Sequence, residues 1–426
     1  MSLAVLFAST IIGMSPIGTS AIATAASLPG ERAGLDVGAV SARPFGRDGS
    51  AAAPGQATDP LAAVAATPTA GPPRLIVRGS NIYTPDGVLL RVRGWNWGAK
   101  NSAQPQDAAD NVKQGATFVR VPLSWYYGSQ GVSDCGGQQD SYDPNAPGFI
   151  HPASLRALDQ QVKWAGAAHL WVDVMVRGGD CDFWTNKKIV PRFIQMWQFL
   201  ANHYKETVYI ASYSLLSEPH PPAGYGNDPV RTFYKNVIAA VRSIDNVTPV
   251  IIGPAKDYDV RNLDQIYIPG LENVIYTSNF YELPAYVKQA KRTRAETGYP
   301  GYYQDQGSKK DSCNYPGRGQ VVFMNKTWLG GLLSCATSFR EANNVPVFID
   351  QIGLRSETPH SIIYVRNVLD LFQEDELGFT YWTYRQPYTH GSLLDGGAGV
   401  LWQDATGVYH TKTLWLSVIT SFFQGS

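Results

Sequence analysis

Short apolar runs ending in polar residues recur along this chain, and stretches with helical spacing lie between most of them. The runs fall at 91–98, 116–125, 170–177, 210–218, 249–253, 274–281, 345–353 and 378–385. Each has the length and largely apolar character of a buried parallel strand. Helical periodicity fills 151–169, 189–206, 228–246, 329–344, 360–377 and 411–423. In 189–206, Phe193, Met196, Trp197 and Leu200 line one side. Eight strands alternating with amphipathic helices make a (β/α)8 TIM barrel, an α/β fold. A doubly wound sheet competes with it. No Gly-rich phosphate turn follows the early strands, however, and polar residues recur at strand C-termini all round the series, which favours the closed form. Those strand ends define one face, where a site is expected.

The barrel is framed by other segments. An N-terminal β-hairpin is expected from 75–77 and 88–90 around Pro85-Asp86-Gly87. A Gly- and Tyr-rich insertion at 284–328 on the sixth βα loop reads as a lid or cleft wall. Residues 1–27 are small and apolar, with no charge before Glu31 and a cleavage-like Ala23-Thr24-Ala25, so they read as a signal peptide lacking the usual basic start. Pro16 and several Gly, Ser and Thr interrupt that run, which argues against stable membrane insertion. Residues 28–72 read as an Ala/Gly/Pro-rich linker or disordered leader, and 73–426 as the folded domain.

With 35 basic and 35 acidic residues, the chain offers no charge excess to attract nucleic acid. Low charge with 11 Trp and 23 Tyr suits a neutral, hydroxyl-rich ligand as well as it suits a Tyr-rich core. The four cysteines allow three pairings; Cys135–Cys181 and Cys313–Cys335 are favoured because each joins loops near in the chain. Such bonds fit a secreted or periplasmic location. No Cys or His spacing suggests a metal site, and no cofactor is expected. A monomer is expected.

Two strand ends stand out. Ser217-Glu218-Pro219 puts a carboxyl group at the mouth, where partial desolvation suits a general acid. Asp350-Gln351 closes the seventh run. Strand alternation would turn Asp350 toward the helices if Gln351 faces the mouth.

At this point the chain resembles glycoside hydrolase family 5, the cellulase-like retaining β-glycosidases. The motifs are 93–98 (R-G-W-N-W-G, with Asn96 and Trp97), 119–122 (V-R-V-P), 217–219 (S-E-P, like N-E-P), Tyr281, 346–353 (like P-x-x-x-G-E-x-G) and Tyr381-Trp382. The resemblance implies Glu218 as acid/base, Arg120 and Tyr281 as holders of the nucleophile, Trp382 as sugar platform and Gln351 at the nucleophile position. Ser217 replaces an Asn that binds the sugar 2-hydroxyl, Asn279 replaces a His, and neither Val174 nor Met175 supplies the usual third-strand His. A neutral amide is a poor nucleophile, and its cost should be on the order of 10³-fold or more. Glu282, Asp180 and Asp182 are the other acids expected near the mouth. A partner about 6.5–9.5 Å from Glu218 would allow inversion.

Trp95, Trp97, Trp125, Trp184, Trp382 and Trp402 fall at strand ends or in loops, and about half are expected to pack rather than bind sugar. Three functions follow. The first is a hydrolase of a β-linked polysaccharide or oligosaccharide with an altered site. The second is a carbohydrate-binding barrel without activity. The third is substrate-assisted cleavage of a 2-acetamido sugar.

Overall fold

The computed structural model describes residues 71–98, 102–125, 141–178, 183–222, 224–287, 298–387, 398–404 and 406–424. The signal peptide, nearly all of the linker, the Cys135–Cys181 pairing, Asp180 and Asp182 lie outside these residues.

Among the described residues, eight parallel strands close on themselves. They are β1 (Arg93–Asn96), β2 (Phe118–Ser124), β3 (Trp171–Arg177), β4 (Ile210–Ser217), β5 (Val250–Ile252), β6 (Val274–Asn279), β7 (Val347–Ile352) and β8 (Gly378–Tyr381). Each pairs with the next, and β8 returns to β1 through Phe379↔Arg93 and Tyr381↔Trp95. The helices outside are α1 (Pro105–Lys113), α2 (Pro152–Ala167), α3 (Ile189–Tyr204), α4 (Asp228–Arg242), α5 (Leu263–Ile266), α6 (Lys326–Asn343), α7 (Ser361–Glu374) and α8 (Thr413–Ser421). This is the expected (β/α)8 barrel.

Helix burial explains the stability of the outer layer. On α4 the buried residues Val230, Phe233, Val237, Ile238 and Val241 follow a 3.6-residue period. Each large apolar side chain so buried contributes about 1.5–3 kcal/mol. Helix α1 carries no such stripe, which is why periodicity misses it. It is held instead by a capping box between Gln104 and Asp107 and by Asp107's ion pair with Arg385.

The expected turn at Pro85-Asp86-Gly87 is present, with Thr84 N–H donating to the Val88 carbonyl and Leu90 N–H to the Ile82 carbonyl, but the strand facing 88–90 is Asn81–Tyr83, which also pairs with Ile76–Arg78 around an additional turn. Gly79, at φ 55°, takes the left-handed conformation that lets the chain reverse there.

The insertion after β6 includes a second hairpin, Gly301–Gln304 against Val321–Met324. Arg261 fastens it to the barrel. Its guanidinium donates to both oxygens of Glu282 at 2.8 Å, to Asp305 at 3.2 Å, and to Tyr315 and Asp259. The Cys313–Cys335 disulfide joins the same segment to α6. Its sequence separation of 22 implies loop-closure stabilisation of about 3 kcal/mol. Cys335→Ser should therefore lower the unfolding free energy by about that amount in urea titration, and an unchanged midpoint would contradict it.

Candidate functional site

The barrel interior beneath the mouth is polar. Arg120, on β2, is wholly buried at the centre. Its Nε donates to Asp173 at 3.0 Å, and its Nη1 donates to Asn96 Oδ1 at 3.1 Å and to the Asp350 carbonyl at 3.2 Å. Its Nη2 lies 2.9 Å from the Asp350 carboxylate. Asp173 also accepts from Ser212 at 2.9 Å and Ser214 at 2.7 Å. Burial opposes the charge on Arg120, but Asp350 and Asp173 outweigh it and raise the group above its ordinary value.

The inward position of Asp350 corrects the alternation argument. Ile349 pairs with Ser278, and the next pairing on that edge is Gln351 with Asn279. On the other edge Ile349 and Ile352 face Phe379 and Tyr381. One extra residue on β7 makes a bulge at Asp350, and a bulge breaks the period of two. Both Asp350 and Gln351 then face the barrel axis. The Asp350 carbonyl is held by Asn96 at 3.0 Å, by Arg120 and by Thr380.

Above this layer lies a cleft of about 360 Å³. Its lining includes Arg177, Glu218, Asn279, Tyr281, Gln351 and Trp382. Glu218 has φ 53°, the left-handed region that non-glycine residues seldom adopt, which marks a position held by its surroundings. Tyr258 and Tyr234 fix the strand end by donating to the Leu216 carbonyl at 2.7 and 3.0 Å. The Glu218 carboxylate accepts from Asn279 at 2.6 Å and from Arg177 at 2.9 Å. Tyr281 donates to Gln351 Oε1 at 2.9 Å. Burial, with the Glu218 charge added, pushes the Tyr281 phenol well above its usual value, so it stays protonated as that donor. Arg177 lies 5.8 Å from the Trp382 ring centroid. A Cβ at Gly353 would come within 2.2 Å of the Trp382 carbonyl, so only glycine allows β7 and Trp382 to approach this closely.

Several buried polar atoms at and beneath the cleft have no hydrogen-bond partner among the described residues, including Gln351 Nε2, Asn279 Oδ1, Ser217 Oγ and both carboxylate oxygens of Asp350.

Of the residues expected at the site, Glu218, Asn279, Tyr281, Gln351 and Trp382 come together at the cleft. Asn96 and Arg120 lie one layer below, and Ser217 is buried at the end of β4. Trp97 does not reach the cleft: it is fully buried, and its Nε1 donates to Asn111 of α1 at 2.8 Å. Glu282 does not reach it either, because both its oxygens are taken by Arg261. Trp95 and Trp125 are likewise buried, among Tyr381 and Phe423 and among Tyr142 and Phe193 respectively. Sequence reasoning passed over Arg177, although a charged residue closing the Val174-Met175-Val176 run at the end of β3 was visible. Arg355, Asp257 and Leu354, also in the lining, carried no comparable signal.

The chain matches the cellulase (glycosyl hydrolase family 5) model over residues 79–387. It is 25% identical over 213 residues to an endoglucanase of Paenibacillus polymyxa, covering 45% of this chain and 52% of that one. It is 22% identical over 284 residues to endoglucanase 3 of Fibrobacter succinogenes, covering 56% and 40%. The chain thus spans about half the length of these curated relatives. Among solved structures, Cel5A of Thermotoga maritima, in complex with cellobiose, superposes with TM-score 0.56 at 17% identity, covering 77% of this chain and 96% of that one. The cellulose synthase subunit Z of Clostridioides difficile superposes with TM-score 0.57 at 17% identity, covering 79% and 100%. These superpositions show a shared fold. Among the described residues, no helix is long and apolar enough to cross a membrane, and no group of three or more His, Cys, Asp or Glu could hold a metal ion.

Proposed function

We propose, on the premise that the chain belongs to glycosyl hydrolase family 5, the cellulase family, that it is a secreted, monomeric protein acting on a β-linked glycan. Glu218 serves as proton donor, and Gln351 stands where a retaining enzyme places its attacking carboxylate. The observation that carries this reading is the cleft itself. It gathers Glu218, Gln351 and its donor Tyr281 around Trp382, at the C-terminal face of the barrel.

The chemistry divides accordingly. Protonation of the glycosidic oxygen by Glu218 needs only a carboxyl group at the mouth. Attack on the anomeric carbon needs an electron-rich oxygen opposite it. The Gln351 amide oxygen is neutral and already accepts from Tyr281. Cleavage is therefore slowed on the order of 10³-fold against a carboxylate-bearing site. Binding does not need the attacking group. The half-buried Trp382 ring offers a flat face to a sugar, and Glu218 and Tyr281 in the same lining supply polar groups for its hydroxyls. The T. maritima relative was solved with cellobiose and with mannotriose, which makes β-glucan and β-mannan the first ligands to try. Cleavage of residues 1–27 on export, a linker over 28–72 and a barrel domain over 73–426 belong to the same proposal. The Cys313–Cys335 bond supports an oxidising location.

The test measures binding and cleavage on one panel of β-glucan, β-mannan and aryl β-glycosides. Saturable binding with slow cleavage is expected. Trp382→Ala should weaken binding about tenfold, the loss of one stacked ring. Absence of binding across the panel would remove the proposal.

A second reading has one specific support. Gln351 lines the cleft and its buried Nε2 lacks a hydrogen-bond partner, so a small side-chain rotation would let it donate to the carbonyl of a 2-acetamido sugar. Its own amide oxygen could then attack in place of the protein group. Cleavage of acetamido glycosides with no cleavage of glucosides would select this reading, and the reverse would discard it.

A further inference from the structure

Asp350 has no task in the chemistry above, yet its carboxylate is wholly buried against Arg120 at 2.9 Å, with neither oxygen in a hydrogen bond among the described residues. Arg120 is committed to Asp173, Asn96 and Asp350. Gln351 takes its bond from Tyr281 instead. The bulge in β7 produces this division, since it lets two successive residues face inward, one to the cleft and one beneath it.

We propose that Asp350 is a positioning residue that supplies Arg120's countercharge directly beneath residue 351, so that the site is built around a neutral side chain there rather than being a carboxylate site with its carboxylate lost. This rests on the reading of Gln351 as the residue facing the anomeric carbon.

The charge inventory argues for it. Asp350 is faced by Arg120 from β2, Asp173 from β3, Tyr234 from α4, Tyr258 after β5, Glu218 after β4 and Tyr281 after β6. Arg120 already serves two carboxylates, and Arg177 is paired with the third, Glu218, at 2.9 Å, so two guanidinium groups face three acids. A fourth at position 351 would meet like charge, and a like charge nearby drives a carboxyl group to keep its proton. A protonated carboxyl group at that position would be little better as a nucleophile than the amide. Asp350 already feels this crowding. Burial, opposed by Arg120 and reinforced by Glu218 and Asp173, pushes its carboxyl up to about 7. Because this lies above the ordinary 3.8, folding takes up a proton at Asp350. Its contribution to stability therefore falls as pH rises from about 4 to about 7.

The experiment compares the parent, Asp350→Asn, Gln351→Glu and the double variant. Asn keeps the shape of Asp, and Asp173 still balances Arg120 in its presence. Melting temperature is measured from pH 5 to 8, and kcat and KM on an aryl β-cellobioside over the same range. Asp350→Asn should flatten the decline in melting temperature with pH. Gln351→Glu should lower the melting temperature at pH 7.5 by several degrees with Asp350 present, and by much less when combined with Asp350→Asn. The double variant should exceed Gln351→Glu in kcat by up to about tenfold around pH 7, where Asp350 begins to carry its charge, the effect of a pKa about one unit lower. KM should be nearly unchanged and the acidic limb displaced to lower pH. Additive melting temperatures, or equal activity and pH profile with and without Asp350, would overturn the proposal. If the melting temperatures couple but neither protein carrying Gln351→Glu cleaves the glycoside, the pairing stands and the glycosidase reading falls.

Discussion

Arg120→Met should destabilise the protein by about 3–5 kcal/mol, because it strands buried carboxylates rather than merely deleting a contact. Asp173 and Asp350 are both wholly buried, and Arg120 is the cation each of them meets. Without it, the barrel must either hold uncompensated charge or take up protons. The deficit should therefore be largest near pH 8 and shrink on acidification, since burial already raises both acids above their ordinary values. Urea unfolding at pH 5 and pH 8 checks this. A deficit independent of pH would mean that lost packing, rather than stranded charge, is the cause. The methyl thioether of Met keeps much of the volume, which makes that distinction readable.

Glu218→Gln should reduce cleavage of glycosides with poor leaving groups by about 10²–10⁴-fold, the usual range for a positioned proton donor. Glycosides whose leaving group is already a stable anion need no proton, so their loss should be much smaller. The contrast separates chemistry from structure. Glu218 also anchors Asn279 and Arg177, so a structural collapse of the mouth would depress both substrates equally. Equal losses would remove Glu218 from the proton-donor role. The comparison should be sharpest in the double variant described above, which carries a carboxylate at position 351.

The fold was legible because it rests on regularities carried by single residues in order. The barrel strands are short, mostly apolar runs, and helices such as α3 and α4 carry a stripe at helical spacing. Helix α1 was not legible, since capping and an ion pair to a residue 278 positions away hold it in place of a stripe. The site was legible in part. Glu218, Gln351 and Trp382 close their strands, and the strand ends share one rim. The orientation of Asp350 was hidden, because a bulge depends on how β7 pairs with both neighbours and leaves no mark in its own composition. Trp97 misled for a related reason. An indole just past a strand end can serve the cleft or the helix layer, and here Asn111 claims it. Glu282 looked available until the insertion delivered its surroundings: Arg261 sits 21 residues away and Asp305 belongs to a loop whose path no local pattern reveals.

The clamp on the Asp350 carbonyl also has a consequence for how the protein is made. Its three donors are Asn96 of β1, Arg120 of β2 and Thr380 of β8, so the first, second, seventh and eighth strands meet at one oxygen atom. Synthesis runs from the N-terminus, and Asn96 waits for Thr380 across 284 residues of separation. Until that closing strand leaves the ribosome, β1 has an unpaired edge and Gln351 lacks its final alignment. Before β8 pairs with β1, no closed barrel surrounds Arg120, Asp173 and Asp350 to keep water from them. Closure desolvates them together, and the cleft comes into being in the same step as the barrel.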